Sequence, residues 1–295
     1  MVKKLSELYR EARSAFLTQE SPQDASLLAR NLLCHITGKR PEELLANSEL
    51  YASEQQCQEM GQATERVLAG EPIAYVLGQW DFYGMTLLVN PCVLIPRDDT
   101  CALTDLALKY GLFLETAPRV LDLCTGSGCI GLAIASRIVD ARVTLADISR
   151  EALAIAKKNI ALQKMNTRVN CVVSDALSKP SKFLGTFDMI VSNPPYITTA
   201  EMEQLPDSVK DFEPHLALHG GNDGLDFYRS ICANYAELLK PGGYLCFEFG
   251  MGQGDDVSAI LESNGFTILE RSRDYNDRER AIIAQYNRKE DENGY

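Results

Sequence analysis

The stretch that most constrains the fold is "RVLDLCTGSGCIGLAIASR". An apolar run, residues 119–124, leads into Gly126, Gly128 and Gly131, and an apolar helical pattern follows directly. Strand, G-x-G-x-x-G turn and helix in that order open a βαβ unit, and the glycines let a ligand approach backbone N–H groups closely. The pattern continues. "ARVTLADIS" reads as a second strand, Ser149 caps the helix "REALAIAKKNIALQKMN", and "VNCVVSDAL", "FDMIVSNPP" and "YLCFEFG" read as further strands. Two late strands are expected near 266–273 and 279–286. Helices are expected at 129–138, at 225–239 ending on the turn Lys240-Pro241-Gly242-Gly243, and at 254–263. Strand–helix alternation with continuously apolar strands predicts a doubly wound, Rossmann-like α/β sheet.

The first 75 residues differ. They carry only helical periodicity, with Ser21 as an expected N-cap, Pro22 at the first helical position and Gly38 as terminator. The expected organisation is a small helical-bundle domain over 1–75, a β-hairpin linker over 76–95 around Tyr83-Gly84, the α/β domain over 96–288, and a disordered tail over 289–295.

Asp147 ends the strand after the glycine turn, 19 residues beyond Gly128, where a carboxylate can accept from both hydroxyls of a ribose. The turn and this acid point to a nucleoside cofactor held by Cys124, Thr125, Gly126, Ser127, Gly128 and Asp147. Asp175 and Ala176, past the third strand, are placed to reach an adenine ring. Asp122, just before the glycines, argues against pyrophosphate and for a cationic ligand such as a sulfonium, since like charges repel.

The fourth strand stops on Asn193-Pro194-Pro195-Tyr196. Prolines have no N–H for the ladder and fixed φ angles. The stop therefore leaves Asn193 and the Pro194 carbonyl as rigid acceptors, with Tyr196 as a flat apolar face. Two acceptors and a ring suit a planar –NH2 group, and ligands of open α/β sheets bind beyond the carboxyl ends of the strands. Asn193, Pro194, Pro195 and Tyr196 are the candidate catalytic residues, with Asn193 also touching the cofactor.

Several segments resemble the PrmC/HemK family, the glutamine N5-methyltransferases of peptide chain release factors. "PIAYVLGQWDFYGMTLLVN" resembles its linker, "VLIPRDDT" its I-P-R-P-x-T segment and "DLCTGSG" its D-L-G-T-G-S-G turn. "SNPPYI" matches closely, "FEPHLALHGGNDGLDFYR" resembles E-P-x-x-A-L-x-G-G-x-D-G-L-x-x-Y, and "RDYNDRERAIIA" resembles the C-terminal strand. The tetrad alone is shared with adenine methyltransferases. The Glu213-Pro214 segment and the helical N-terminus narrow the match. The resemblance implies a class I methyltransferase fold, S-adenosyl-L-methionine as cofactor, release factors as protein partners, and methylation of the glutamine in their Gly-Gly-Gln loop. The chain departs at Cys124, where the family has glycine, and at Asp98, Asp99 and Cys101. Arg97 and Glu213 are left as ion-pair partners or substrate contacts.

The net charge of −12 opposes binding to duplex nucleic acid, which needs a basic face. An adenine-N6 methyltransferase is thus the alternative, a nucleotide-linked oxidoreductase leaves NPPY unexplained, and a non-enzymatic adaptor is the third reading. The nine cysteines form no C-x-x-C pair, so reduced thiols and no metal are expected. No apolar run approaches a membrane span, and a cytoplasmic monomer is expected.

Overall fold

A computed structural model describes residues 2–114 and 117–287. The expected disordered tail lies outside the described residues. The chain divides into two compact units: residues up to Gly78 together with Asp207–Phe212, and Gln79–Pro206 together with the chain from Glu213 onward.

The first unit is helical: α1 (Leu5–Phe16), α2 (Pro22–Thr37), α3 (Pro41–Ala46), α4 (Glu54–Leu68) and α5 (Ile73–Leu77). Leu5, Leu8, Ala12 and Phe16 recur at helical spacing on the buried face of α1. They pack with Ala25, Ala29, Leu32 and Leu33 of α2 and Met60 of α4. The Ser21 hydroxyl accepts from Asp24 N at 3.2 Å, and Gly38 ends α2 at φ 65, as its sequence signals imply.

The second unit starts with the hairpin β1 (Gln79–Phe82) and β2 (Met85–Leu88), followed by α6 (Cys101–Gly111). Then β3 (Arg119–Leu123), α7 (Cys129–Arg137), β4 (Arg142–Asp147), α8 (Arg150–Leu162), β5 (Val169–Val173) and β6 (Phe187–Ser192) alternate. The short helices α9 (Thr199–Met202) and α10 (Asp207–Lys210) come next, α10 in the segment grouped with the helical unit. The chain ends with α11 (Asp226–Tyr235), β7 (Leu239–Glu248), α12 (Gly254–Ser263), β8 (Phe266–Arg273) and β9 (Glu279–Tyr286).

The seven strands from β3 onward form one sheet in the order β5-β4-β3-β6-β7-β9-β8. All pairs are parallel except β7 with β9 and β9 with β8. Both faces are covered: α6, α7 and α8 pack on one and α11 and α12 on the other. The chain leaves β3 toward β5 and returns to the opposite side of β3 at β6. The switch point of this doubly wound sheet therefore lies between β3 and β6.

Two boundaries differ from the sequence reading. The helix expected over "REALAIAKKNIALQKMN" ends at Leu162, before Lys164 turns to φ 57. The helix expected over 225–239 ends at Tyr235, and β7 already begins at Leu239. Lys240-Pro241-Gly242-Gly243 is absorbed as an irregularity of β7, whose pairing with β6 jumps from Phe187–Leu239 to Met189–Tyr244. A bulge spares Pro241 from having to donate a ladder hydrogen bond.

Candidate active site

The site grows out of the switch point. Leu123 pairs with Ser192 in the β3–β6 register, so Cys124 and Asn193 leave adjacent strands side by side. The Ser192 hydroxyl donates to the Leu123 carbonyl at 2.6 Å and ties the two exits together. One cavity runs past both. Its lining includes Cys124, Thr125, Gly126, Ser127, Asp147, Asp175, Ala176, Asn193 and Pro195.

The glycine turn is braced from within its own βαβ unit. Gly128 enters α7 at φ 85 with no side-chain cap. Asp122 supplies the cap from β3 instead: its Oδ2 accepts from Gly131 N at 2.9 Å and from the Thr125 hydroxyl at 2.6 Å. Asp122 is fully buried, and burial raises its pKa to about 7. It lies beneath the turn and does not line the cavity, so the sequence argument that gave it a part in choosing the ligand does not hold. Residues of β3 alternate between sheet faces, which sends Val120 and Asp122 toward α7.

Asp147 closes the turn from the next strand. Its carboxylate accepts from Gly126 N at 2.8 Å and Ser149 N at 2.9 Å. An ionised carboxylate has about four acceptor sites, so acceptor capacity remains for a hydroxyl donor. A Cβ on Gly126 would meet no atom within 4 Å, so the turn leaves open space where a ligand can approach. Asp175 uses its carboxylate on its own turn, accepting from Leu177 N and the Ser178 hydroxyl at 2.9 and 2.7 Å. Ala176 is buried beside it. Gly128 stands behind the cavity wall, where a Cβ would come within 2.9 Å of Leu145. An acid at the cavity edge, a bare turn and apolar walls such as Ile148 and Leu177 fit a nucleoside with a cationic tail.

The NPPY loop is braced from far along the chain. Ile197 N donates to the Leu218 carbonyl at 3.0 Å, and Gly220 N donates to the Ile197 carbonyl at 2.8 Å. The Gln253 side chain accepts from Gly250 N at 2.8 Å and donates to the Tyr196 carbonyl at 3.1 Å. A Cβ on Gly220 would lie 2.6 Å from the Pro195 oxygen, and one on Gly224 would collide with the Tyr196 oxygen. Only glycine allows that approach. Pro194 and Tyr196 do not line the cavity. Pro194 is buried, and the Tyr196 ring packs on the core beneath. Burial pushes the Tyr196 hydroxyl well above its ordinary pKa. Asn193 Nδ2 donates to the Thr100 hydroxyl at 3.4 Å.

Glu213 is buried and accepts from Ile95 N at 3.2 Å and from the Arg97 guanidinium. The pair joins the Glu213-Pro214 segment to the strip 92–97 along the cavity. Asp99 pairs with Arg280 at 3.1 Å and does not line the cavity, whereas Thr100 beside it does.

Asn159, Thr100 and Glu248 are among the contributors that the sequence reading does not mark. Asn159 on α8 is fully buried, accepts from Leu88 N at 2.7 Å, and donates to the Leu88 and Ser127 carbonyls at 3.0 and 2.9 Å. Glu248 stands in the apolar run "YLCFEFG", where a lone acid is itself a signal, because a central strand leaves no room to expose it.

Residues 7–78 match the family model of the PrmC N-terminal domain, and residues 106–210 match that of the methyltransferase small domain. The chain is 42% identical over 213 residues to a release factor glutamine methyltransferase of Clostridium acetobutylicum, covering 72% of this chain and 74% of that one. It is 35% identical over 274 residues to the protein of that description in Chlorobaculum tepidum, covering 91% and 92%. Among solved structures, a methyltransferase from Pyrococcus furiosus shares the fold at a TM-score of 0.50 and 19% identity, covering 77% of this chain and 99% of that chain. These likenesses, together with the helical N-terminal unit and the paired turns at the switch point, show that the chain belongs to the family of release factor glutamine methyltransferases.

Proposed function

We propose that the chain transfers a methyl group from S-adenosylmethionine to the side-chain amide nitrogen of the glutamine in the Gly-Gly-Gln loop of a peptide chain release factor. The observation that carries this reading is the register of β3 and β6. It sets Asn193 next to the glycine turn, on one cavity with Asp147. When bound, S-adenosylmethionine supplies an electrophilic methyl group on a sulfonium, which the amide nitrogen takes. Asp147 would hold the ribose hydroxyls, the turn Cys124–Gly128 the body of the cofactor, and the Asp175-Ala176 edge the adenine.

The residues around Asn193 handle the nucleophile. An amide nitrogen is a poor nucleophile because its lone pair is delocalised into the carbonyl. Asn193 Oδ1, on the cavity, accepts a hydrogen of the –NH2 group, holds the nitrogen in place and favours the positive charge that develops on it. Of the neighbouring carbonyls, Tyr196 O accepts from the Gln253 side chain. The proton of the methylated amide then leaves to water. Tyr196 supplies packing, and its hydroxyl takes no part. The helical unit, matched by the N-terminal family model, recognises the release factor.

The test uses methyl-labelled cofactor with a release factor, the same factor with its loop glutamine changed to alanine, and duplex DNA. Label on the parent factor alone is expected. Label on DNA, or equal label on the glutamine-less factor, sinks the reading. Asn193→Ala should lower single-turnover rate by about 10²-fold or more and leave cofactor affinity within about twofold. Lost cofactor binding with intact chemistry would overturn the role given to Asn193.

A further inference from the structure

Glu248 ends β7, a strand paired on both sides, and is 1% exposed. The register that pairs Ser192 with Phe247 puts the next residues, Asn193 and Glu248, side by side as well. Nothing in the proposed chemistry uses this acid. Its Oε2 has no hydrogen-bond partner among the described residues. Arg280, on the adjoining strand β9, is committed to Asp99 at 3.1 Å and Asp274 at 3.2 Å. Asn193, beside Glu248 in the register, and Thr100, whose hydroxyl oxygen accepts from Asn193 Nδ2 at 3.4 Å, are polar groups that favour the charged form of Glu248.

The observed hydrogen bond of the Asn193 amide gives an orientation: Nδ2 donates to the Thr100 hydroxyl oxygen at 3.4 Å. Glu248 stands beside Asn193 in the register, and in its ionised form it only accepts, which favours Nδ2 and not Oδ1 on its side. The opposite face of the amide, Oδ1, is left for the cavity that Asn193 lines.

We propose that Thr100 and Glu248 are positioning residues that lock the side-chain amide of Asn193, so that Oδ1 and not Nδ2 meets the substrate –NH2. The inference rests on the functional reading above. Without the lock, the torsion of an asparagine amide is broad, and a half-turn is cheap. That half-turn sets a donor against a donor and removes the acceptor the nucleophile needs. The device also accounts for an unpaired acid under the loop. Once ionised, this acid only accepts, whereas an amide there could also donate to Oδ1 and satisfy either face of Asn193.

The experiment measures single-turnover methyl transfer to a release factor, together with equilibrium cofactor affinity and thermal unfolding. The proteins are the parent, Thr100→Val, Thr100→Ser and Glu248→Gln. Thr100→Val should lose about tenfold or more in rate with cofactor affinity within about twofold. Thr100→Ser, which keeps the hydroxyl, should recover to within about threefold of the parent. Glu248→Gln should fall with Thr100→Val; if it fails to fold, the two Thr100 variants decide. An active parent with Thr100→Val at the parental rate, or with serine as impaired as valine, overturns the inference alone. A parent that leaves the glutamine unmethylated overturns the functional reading and this inference with it.

Discussion

Two turns meet at the switch point of the sheet, and they are held in opposite ways. The turn after β3 is braced locally: Asp122, Asp147 and Asn159 all belong to the βαβ units around it. The turn after β6 is braced by Gly220, Gly224 and Gln253, which follow it by 24 to 57 residues in the chain. The first arrangement suits a surface that must present backbone to a cofactor. The second suits a nucleophile holder whose carbonyls must not shift, because its contacts come from several directions. The two turns share one device. Each stands on a buried acid with an oxygen that has no partner among the described residues, Asp122 Oδ1 under the first and Glu248 Oε2 under the second.

The sharpest way to break this contrast is Gly220→Ala. The added Cβ faces backbone, the Pro195 oxygen at 2.6 Å and Tyr196 Cα at 2.7 Å, and neither has room to yield. The loop must move. A displacement of about 1 Å at a reacting group costs about 10² in rate, so turnover should drop by about that factor. Cofactor affinity, measured by calorimetry, should stay within about twofold, because the first turn is braced independently. A loss of affinity as large as the loss of rate would show that the two turns are one unit.

Asn159→Ala is the converse and has a smaller effect. It strips partners from Leu88 N, Leu88 O and Ser127 O. Orphaned buried groups cost about 1–3 kcal/mol each before relaxation, so a net loss of about 2 kcal/mol in denaturant unfolding is expected. Cofactor binding should weaken, and the single-turnover rate of the saturated enzyme should hold. A fall in that rate with full affinity would contradict local bracing.

The buried acids give a third, pH-dependent test. Burial raises Asp122 from 3.8 to about 7 and Glu248 from 4.5 to about 7. Below the lower value both folded and unfolded chains are protonated. As pH rises, the unfolded chain sheds a proton that the folded chain keeps, so folding stability falls between the ordinary pKa and about 7. Asp122→Asn and Glu248→Gln cannot titrate and should each flatten that decline, by on the order of 1 kcal/mol or more across the window. Chemical denaturation at pH 4, 5.5 and 7.5 reads the slope. An unchanged slope in either variant would remove that acid from the account.

The difference between the turns also explains how much of the site was legible in the amino-acid sequence. Gly126, Gly128 and Asp147 carry a fixed local spacing, and spacing along one βαβ unit maps directly onto space. NPPY announced a stop and a pair of acceptors for the same reason. What held it was hidden, because "HGGNDG" shows glycines without showing what backbone passes them. Thr100 lies 93 residues from the Asn193 it touches, a pairing no local pattern contains. The charge of Asp122 does not reach the ligand, because strand alternation turns it toward α7, and spacing along the chain does not show which face it takes. The Lys240-Pro241-Gly242-Gly243 turn was misread because a bulge and a turn use the same residues.

The smallest effect is expected at Cys124, where local bracing carries an evident cost. Cys124 sits at φ 60, a left-handed conformation that costs a side-chain-bearing residue about 1 kcal/mol or more. Glycine adopts it freely, which is why the resembled family has glycine here. Cys124→Gly removes that strain, but it also frees the unfolded chain and removes a partly buried thiol. The terms oppose each other, and the net change in stability should be under about 1 kcal/mol. Cofactor affinity is the more telling readout. Asp147 and the N–H groups of the turn are unchanged by the substitution, so if strain at Cys124 merely burdens folding, affinity stays within about twofold. A gain of about tenfold would mean that the thiol narrows the cavity it lines, and that the turn is braced in a form its own side chain obstructs.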